Sequence, residues 1–334
     1  MTARTALSRR SFALATGAGL LATLAACSGT TSGTGAASDG AASDGGSKAG
    51  ALRVMVTTYP THYLAASIGG SLVSIENPVK PGVDPHGLEL SVQQVAQMST
   101  AGLVLQIEHY QSAVDTAISS QHLTNVLNLN EHVTLLPASA AAEDETDHDH
   151  DQAEDDHDHD HDHGDIDPHF WHDPLLMIEA ATAIAARLSE IAPEHKDAFA
   201  EALATLTATL TTLDEELSAA FGAVTSSKEF ITSHAAFTYL AHRYGLTQIA
   251  IAGIDPDTEP STQRLLELSQ LVQSKGLSTV FFETTASPAV AETLATRSGV
   301  KAEELDNLET QLDPTKDYAE VMRNNSVKLV ASWA

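Results

Sequence analysis

Apolar residues along this chain fall into short unbroken runs that alternate with stretches of helical spacing. Residues 53–58 (RVMVTT), 102–107 (GLVLQI) and 125–129 (NVLNL) read as buried strands, with helix-like segments at 91–98 and 110–120 between them. A β-α rhythm of this kind predicts a mostly parallel sheet. The rhythm stops at Pro174 and restarts after Phe221. Strands then fall at 229–232 (EFIT), 248–251 (QIAI) and 279–282 (TVFF), separated by helices near 237–244 and 261–274. Between the halves lie 174–191 and 193–221, rich in Ala, Leu and Glu and without an interior Gly. Pro193 suits the first position of a helix, where its missing N–H costs nothing. The stretch from Glu194 to Phe221, at about 1.5 Å per residue, spans roughly 40 Å. The pattern therefore predicts an α/β fold of two lobes, each with a mostly parallel sheet flanked by helices, joined by one long helix. The expected boundaries are an N-terminal lobe over 51–192, the helix over 193–221 and a C-terminal lobe over 222–334. One stiff connecting helix implies limited relative motion, and no sequence repeat relates the lobes.

The first 50 residues follow a different pattern. Arg4, Arg9 and Arg10 precede an uncharged Ala/Leu/Gly-rich stretch over 12–26. This is the form of a signal peptide and is shorter than the ~20 apolar residues that a membrane-spanning helix needs. The stretch ends in Leu24-Ala25-Ala26-Cys27, which resembles a bacterial lipobox. Cys27, the only cysteine of the chain, is the expected lipid-bearing residue. Ser8-Arg9-Arg10-Ser11-Phe12 resembles a twin-arginine export motif. Residues 27–50, nearly all Ser, Gly, Thr, Ala and Asp after the cysteine, cannot bury enough apolar surface to fold and are expected to act as a flexible tether. The protein is thus expected outside the cytoplasm, anchored to the outer face of the bacterial cytoplasmic membrane.

Charge narrows the partners. Seventeen Lys and Arg stand against 45 Asp and Glu, a formal charge of −28, which argues against a nucleic-acid binder. A lone cysteine permits no thiolate cluster, so a metal site must come from His, Asp and Glu. Residues 143–165 concentrate those groups: His148, His150, His157, His159, His161 and His163 alternate with thirteen acids. The run lacks the apolar residues to fold alone. Its imidazoles and carboxylates are ligands that zinc accepts, and they form an expected auxiliary metal-capturing loop that binds several ions weakly. Acid should empty it, because imidazole must lose its proton to bind metal.

Four further segments combine ligand-type residues with loops beside predicted strand ends, where open α/β sheets hold ligands. They are Gly82-Val83-Asp84-Pro85-His86, Asp167-Pro168-His169-Phe170-Trp171, Ser233-His234-Ala235-Ala236-Phe237 and Leu305-Asp306. Asp84 or Glu89 could orient His86, and Glu283 reads as a structural or supporting carboxylate rather than a ligand. Together these phrases resemble the metal-binding receptors of bacterial ABC importers, the zinc/manganese cluster that includes ZnuA-like lipoproteins. That family carries its ligands in G-x-D-P-H, D-P-H-x-W, S-H-x-A-F and a late L-D. The resemblance covers most of the chain from Leu52 onward and implies metal ligation by His86, His169, His234 and Asp306. The chain departs from it at Leu88, which stands where an aromatic is usual, and at Gln106-Ile107-Glu108-His109-Tyr110, which replaces a Gly-containing turn. Asn307 stands where a proline commonly follows the aspartate, which leaves a glutamate or water as the alternative fourth ligand.

The resemblance implies a monomeric extracytoplasmic receptor that delivers its ion to an ABC permease. Three imidazoles and a carboxylate favour Zn²⁺ over Mn²⁺, since manganese receptors of the family tend to place a carboxylate where His234 stands. A zinc hydrolase needs an open coordination position and a nearby base; no H-E-x-x-H occurs and four ligands close the site, so no enzyme is expected. An adhesin is the remaining alternative.

Overall fold

The computed structural model describes residues 50–142 and 166–334, apart from Asp257, Glu259 and Ala286. The signal peptide, Cys27, nearly all of the tether and the acidic histidine run 143–165 lie outside the described residues. The first sheet is built from β1 (Leu52–Met55), β2 (Val73–Glu76), β3 (Leu103–Gln106) and β4 (Val126–Asn128) in the order β2-β1-β3-β4, all parallel. Three of these match the predicted runs. β2 (VSIE) was not expected, because an edge strand facing solvent carries little apolar signal. Around the sheet lie α1 (Tyr59–Gly69), α2 (Val92–Thr100) and α3 (Ser112–Gln121). Thr58 caps α1 with Pro60 in the first turn, and Ser91 with Gln94 forms a capping box on α2.

The second sheet repeats this arrangement. β5 (Glu229–Thr232), β6 (Thr247–Ala250), β7 (Thr279–Glu283) and β8 (Lys301–Leu305) are parallel in the order β6-β5-β7-β8. In both lobes, then, the second strand lies outside the first, so the lobes share a topology that no sequence repeat reveals. α6 (Thr238–Tyr244), α7 (Thr262–Lys275), α8 (Ala289–Ser298) and α9 (Tyr318–Ser332) accompany the sheet.

Between the lobes run α4 (Pro174–Ile191) and α5 (Lys196–Gly222). Asp173 caps α4, its Oδ1 accepting from the Leu175 N–H at 2.8 Å. The long helix begins three residues later than expected, because Pro193–His195 forms a 3₁₀ turn. Along α5, Phe199, Leu206, Leu210, Leu213, Leu217 and Phe221 are buried at i, i+3, i+4 and i+7 spacing. They join one apolar cluster that takes in Val54, Leu103 and Leu105 of the first sheet and Phe230, Phe281 and Leu305 of the second. The lobes are therefore tied by a shared core as well as by a helix.

Before α4 the chain closes a neck. Pro137 and Ile166 form an antiparallel bridge, and the Asp167 N–H donates to Leu136 O at 2.9 Å. The Tyr239 hydroxyl of α6 donates to Asp167 O at 2.6 Å and accepts from the Leu136 N–H at 2.8 Å. The described segments on either side of residues 143–165 meet at this neck.

Candidate metal centre

His86 lies in the loop between β2 and α2. The Asp84 carboxylate accepts its backbone N–H at 2.8 Å, Gln111 Nε2 donates to Pro85 O at 2.8 Å, and the Tyr110 ring packs on the imidazole with centroids 4.4 Å apart. Asp84 thus holds the backbone of His86, while Glu89 stays exposed. His169 opens the 3₁₀ turn ahead of α4. Asp167, wholly buried, receives both the His169 N–H at 2.9 Å and its ring Nδ1 at 2.8 Å, which turns Nε2 inward. Trp171 Nε1 donates to Asn307 O at 2.9 Å and locks that turn to the other lobe.

His234 lies two residues beyond β5. Thr232 Oγ1 and Gln248 Nε2 both donate to its carbonyl, at 2.7 and 3.0 Å, and its N–H donates to Glu283 Oε1 at 3.1 Å. The fourth group is Glu309, four residues beyond β8. Its Oε1 lies 3.2, 3.8 and 3.4 Å from Nε2 of His86, His169 and His234. Thr285 Oγ1 donates to its Oε2 at 3.1 Å and is in turn held by Asn307 Nδ2 at 3.0 Å.

The structure brings together the three expected histidines but not Asp306. Asp306 Oδ1 accepts from the Leu308 N–H at 2.8 Å, and its backbone is held by Asn325 at 3.2 and 2.6 Å. That cap turns the chain through Leu308, at φ 60, and delivers Glu309 to the cleft. Glu309 O then accepts from the Tyr59 N–H at 2.9 Å, and Thr310 Oγ1 from the Gly82 N–H at 3.1 Å. The sequence reading took Asp306 from the late L-D phrase and left a glutamate open as the alternative without naming Glu309. The signal lay in the Asp306-Asn307 turn, which defers the carboxylate by three residues.

Among the described residues this is the one set of His, Cys, Asp and Glu whose ligand atoms all fall within 4.8 Å of one another. A tetrahedral ion with bonds of about 2.0–2.1 Å holds its ligand atoms about 3.3 Å apart, close to the three Nε2–Oε1 separations. The Nε2 atoms of His169 and His234 are buried without hydrogen bonds, which suits a ligand role. Burial alone would raise the Glu309 carboxyl, but His86 and His234 outweigh it and hold it well below the usual carboxylate range. Burial would likewise lower His234, yet Glu283 and Glu309 raise it to about 10. For His169 burial wins over Asp167, so its pKa falls. His172 is buried with neither ring nitrogen hydrogen-bonded and packs on Phe237 at 4.5 Å. Burial and His169 push it down to about 3, so it is a neutral filler.

The chain is similar to known zinc-binding proteins. AdcA of Streptococcus pyogenes (serotype M6), a zinc-binding protein, is 34% identical over 285 residues; the match covers 83% of this chain but 55% of AdcA. This chain therefore spans about half the length of that relative. ZnuA of Bacillus subtilis (strain 168), a high-affinity zinc uptake system protein, is 32% identical over 284 residues, covering 84% of this chain and 86% of its own. The Zn(II)-bound ZnuA-like domain of Streptococcus pneumoniae AdcA superposes with a TM-score of 0.68 at 29% identity, over 85% of this chain and 99% of the domain. The family model for zinc-uptake complex component A, periplasmic, matches residues 54–332. The two-lobed parallel fold and these matches together make this chain a member of the ZnuA family.

Proposed function

We propose that the chain is an extracytoplasmic receptor that binds Zn²⁺ between its lobes and presents it to an ABC permease. The observation that carries this reading is the convergence of three buried Nε2 atoms on Glu309 Oε1 at 3.2–3.8 Å. His86, His169, His234 and Glu309 would hold the ion as a closed four-coordinate cargo with no position left for a reacting water, which suits transport rather than hydrolysis. The zinc-binding relatives support zinc as the cargo, and the imidazole-rich set disfavours manganese. A monomer tethered through lipid on Cys27, with the run 143–165 as a local collector, completes the reading. The lipoprotein form of AdcA in S. pneumoniae supports the anchor.

The test is a Zn²⁺ titration of the soluble chain from Gly50 onward under chelator competition. It is run beside a chain lacking 143–165, and beside that deletion carrying His86→Ala with His234→Ala. One tight site that survives the deletion and disappears with the histidine changes is expected. Tight binding that leaves with the run would instead make this a metal-buffering lipoprotein.

A further inference from the structure

Glu283 ends β7 with its side chain fully buried. Among the described residues the only cationic group within ion-pair distance of it is His234. A buried carboxylate without Lys or Arg is expensive to a fold unless it is compensated. Its Oε1 is partly satisfied by the His234 N–H at 3.1 Å, but Oε2 and the neighbouring Thr284 hydroxyl are buried without hydrogen bonds. The same Oε1 lies 3.6 Å from His234 Nδ1, while Nε2 on the far side of the ring lies 3.4 Å from Glu309. One imidazole is thus bracketed by two carboxylates, one inside the centre and one behind it.

Resting on the zinc reading above, we propose that Glu283 is a positioning residue: it holds His234 by the backbone N–H and accepts Nδ1–H in the loaded state, so that Nε2 presents its lone pair to the ion. The present 3.6 Å is longer than a hydrogen bond, and a small rotation of the ring closes it. Asp167 already stands in the equivalent place behind His169 at 2.8 Å.

The experiment compares the native chain with Glu283→Gln, which keeps size and the backbone acceptor but removes the charge. Zinc affinity is measured by competition, the geometry by the visible spectrum of the Co²⁺ form, and the fold by melting of the metal-free protein. The expected result is a roughly 10–100-fold loss of zinc affinity, a shifted Co²⁺ spectrum, and a metal-free chain that still melts cooperatively. In a His234→Ala background the same change should cost nothing further, because Glu283 acts through that ring. Affinity within twofold of native, with a native spectrum, overturns the proposal. If the Gln chain does not fold, Glu283→Asp takes its place: tenfold weaker binding at unchanged melting supports the role, and unchanged affinity refutes it. A native chain that binds no zinc tightly sinks the receptor reading together with this one, whereas native binding with an indifferent Glu283 sinks only the latter.

Discussion

Two carboxylates three residues apart do different work in the loop after β8. Asp306 faces the Leu308 amide and Glu309 faces the imidazoles, so on the proposed zinc reading the pair would separate turn-making from ligation. Glu309→Gln should weaken zinc binding by at least tenfold. Asp306→Asn should leave affinity within about threefold while costing about 1 kcal/mol of stability from the lost charged acceptor. Competition titration and thermal melting read the two effects separately, and the reverse pattern would restore Asp306 as the ligand. Protons give a second residue-scale expectation. With its pKa raised to about 10, metal-free His234 carries a proton at neutral pH that zinc must displace, whereas His169 carries none. In the chain lacking 143–165, apparent affinity should therefore fall about tenfold from pH 8 to pH 7, with one proton released per ion. Calorimetry in buffers of different ionisation heat counts that proton, and a count near zero contradicts the assignment. The histidines were legible because rigid, motif-like phrases surround them. Glu309 was not, because its place depends on a left-handed Leu308 that no local pattern announces.

At the scale of elements, legibility followed burial. β3, buried at every position, and β5, buried at three of four, read clearly as apolar runs. β2 and β8 are the edges nearest solvent in their sheets, and their sequences VSIE and KAEEL look like surface chain. α1 was hidden by the Thr58-Tyr59-Pro60 start, which reads as a turn until the capping geometry is known. The loop that carries His86 shows how an element-level constraint reaches the site. Gly82 sits at φ 76, and a Cβ there would lie 3.3 Å from Leu312 of the other lobe. Gly82→Ala should cost about 1–2 kcal/mol from the left-handed backbone alone. It should also weaken zinc binding, because the same residue donates to Thr310 beside Glu309. Unchanged affinity with a lowered melting temperature would confine the glycine to folding.

For the whole molecule, one apolar core ties the two lobes. Leu210 of α5, fully buried, belongs to the cluster that spans both sheets. Leu210→Ala should cost about 2–5 kcal/mol. Below its melting temperature it should leave zinc affinity nearly native, since no ligand rests on it; a large loss of affinity would mean that the core also sets the cleft. Removing zinc with a chelator should lower the melting temperature as well: an ion at 1,000 times its Kd stabilises by about 4 kcal/mol. The neck at Pro137 and Ile166 has a different consequence. Because Tyr239 and the bridge fasten both stems, exchanging residues 143–165 for a reporter domain should leave the fold on either side, and its melting temperature, unchanged. A zinc sensor built at that port would inherit the cleft unaltered.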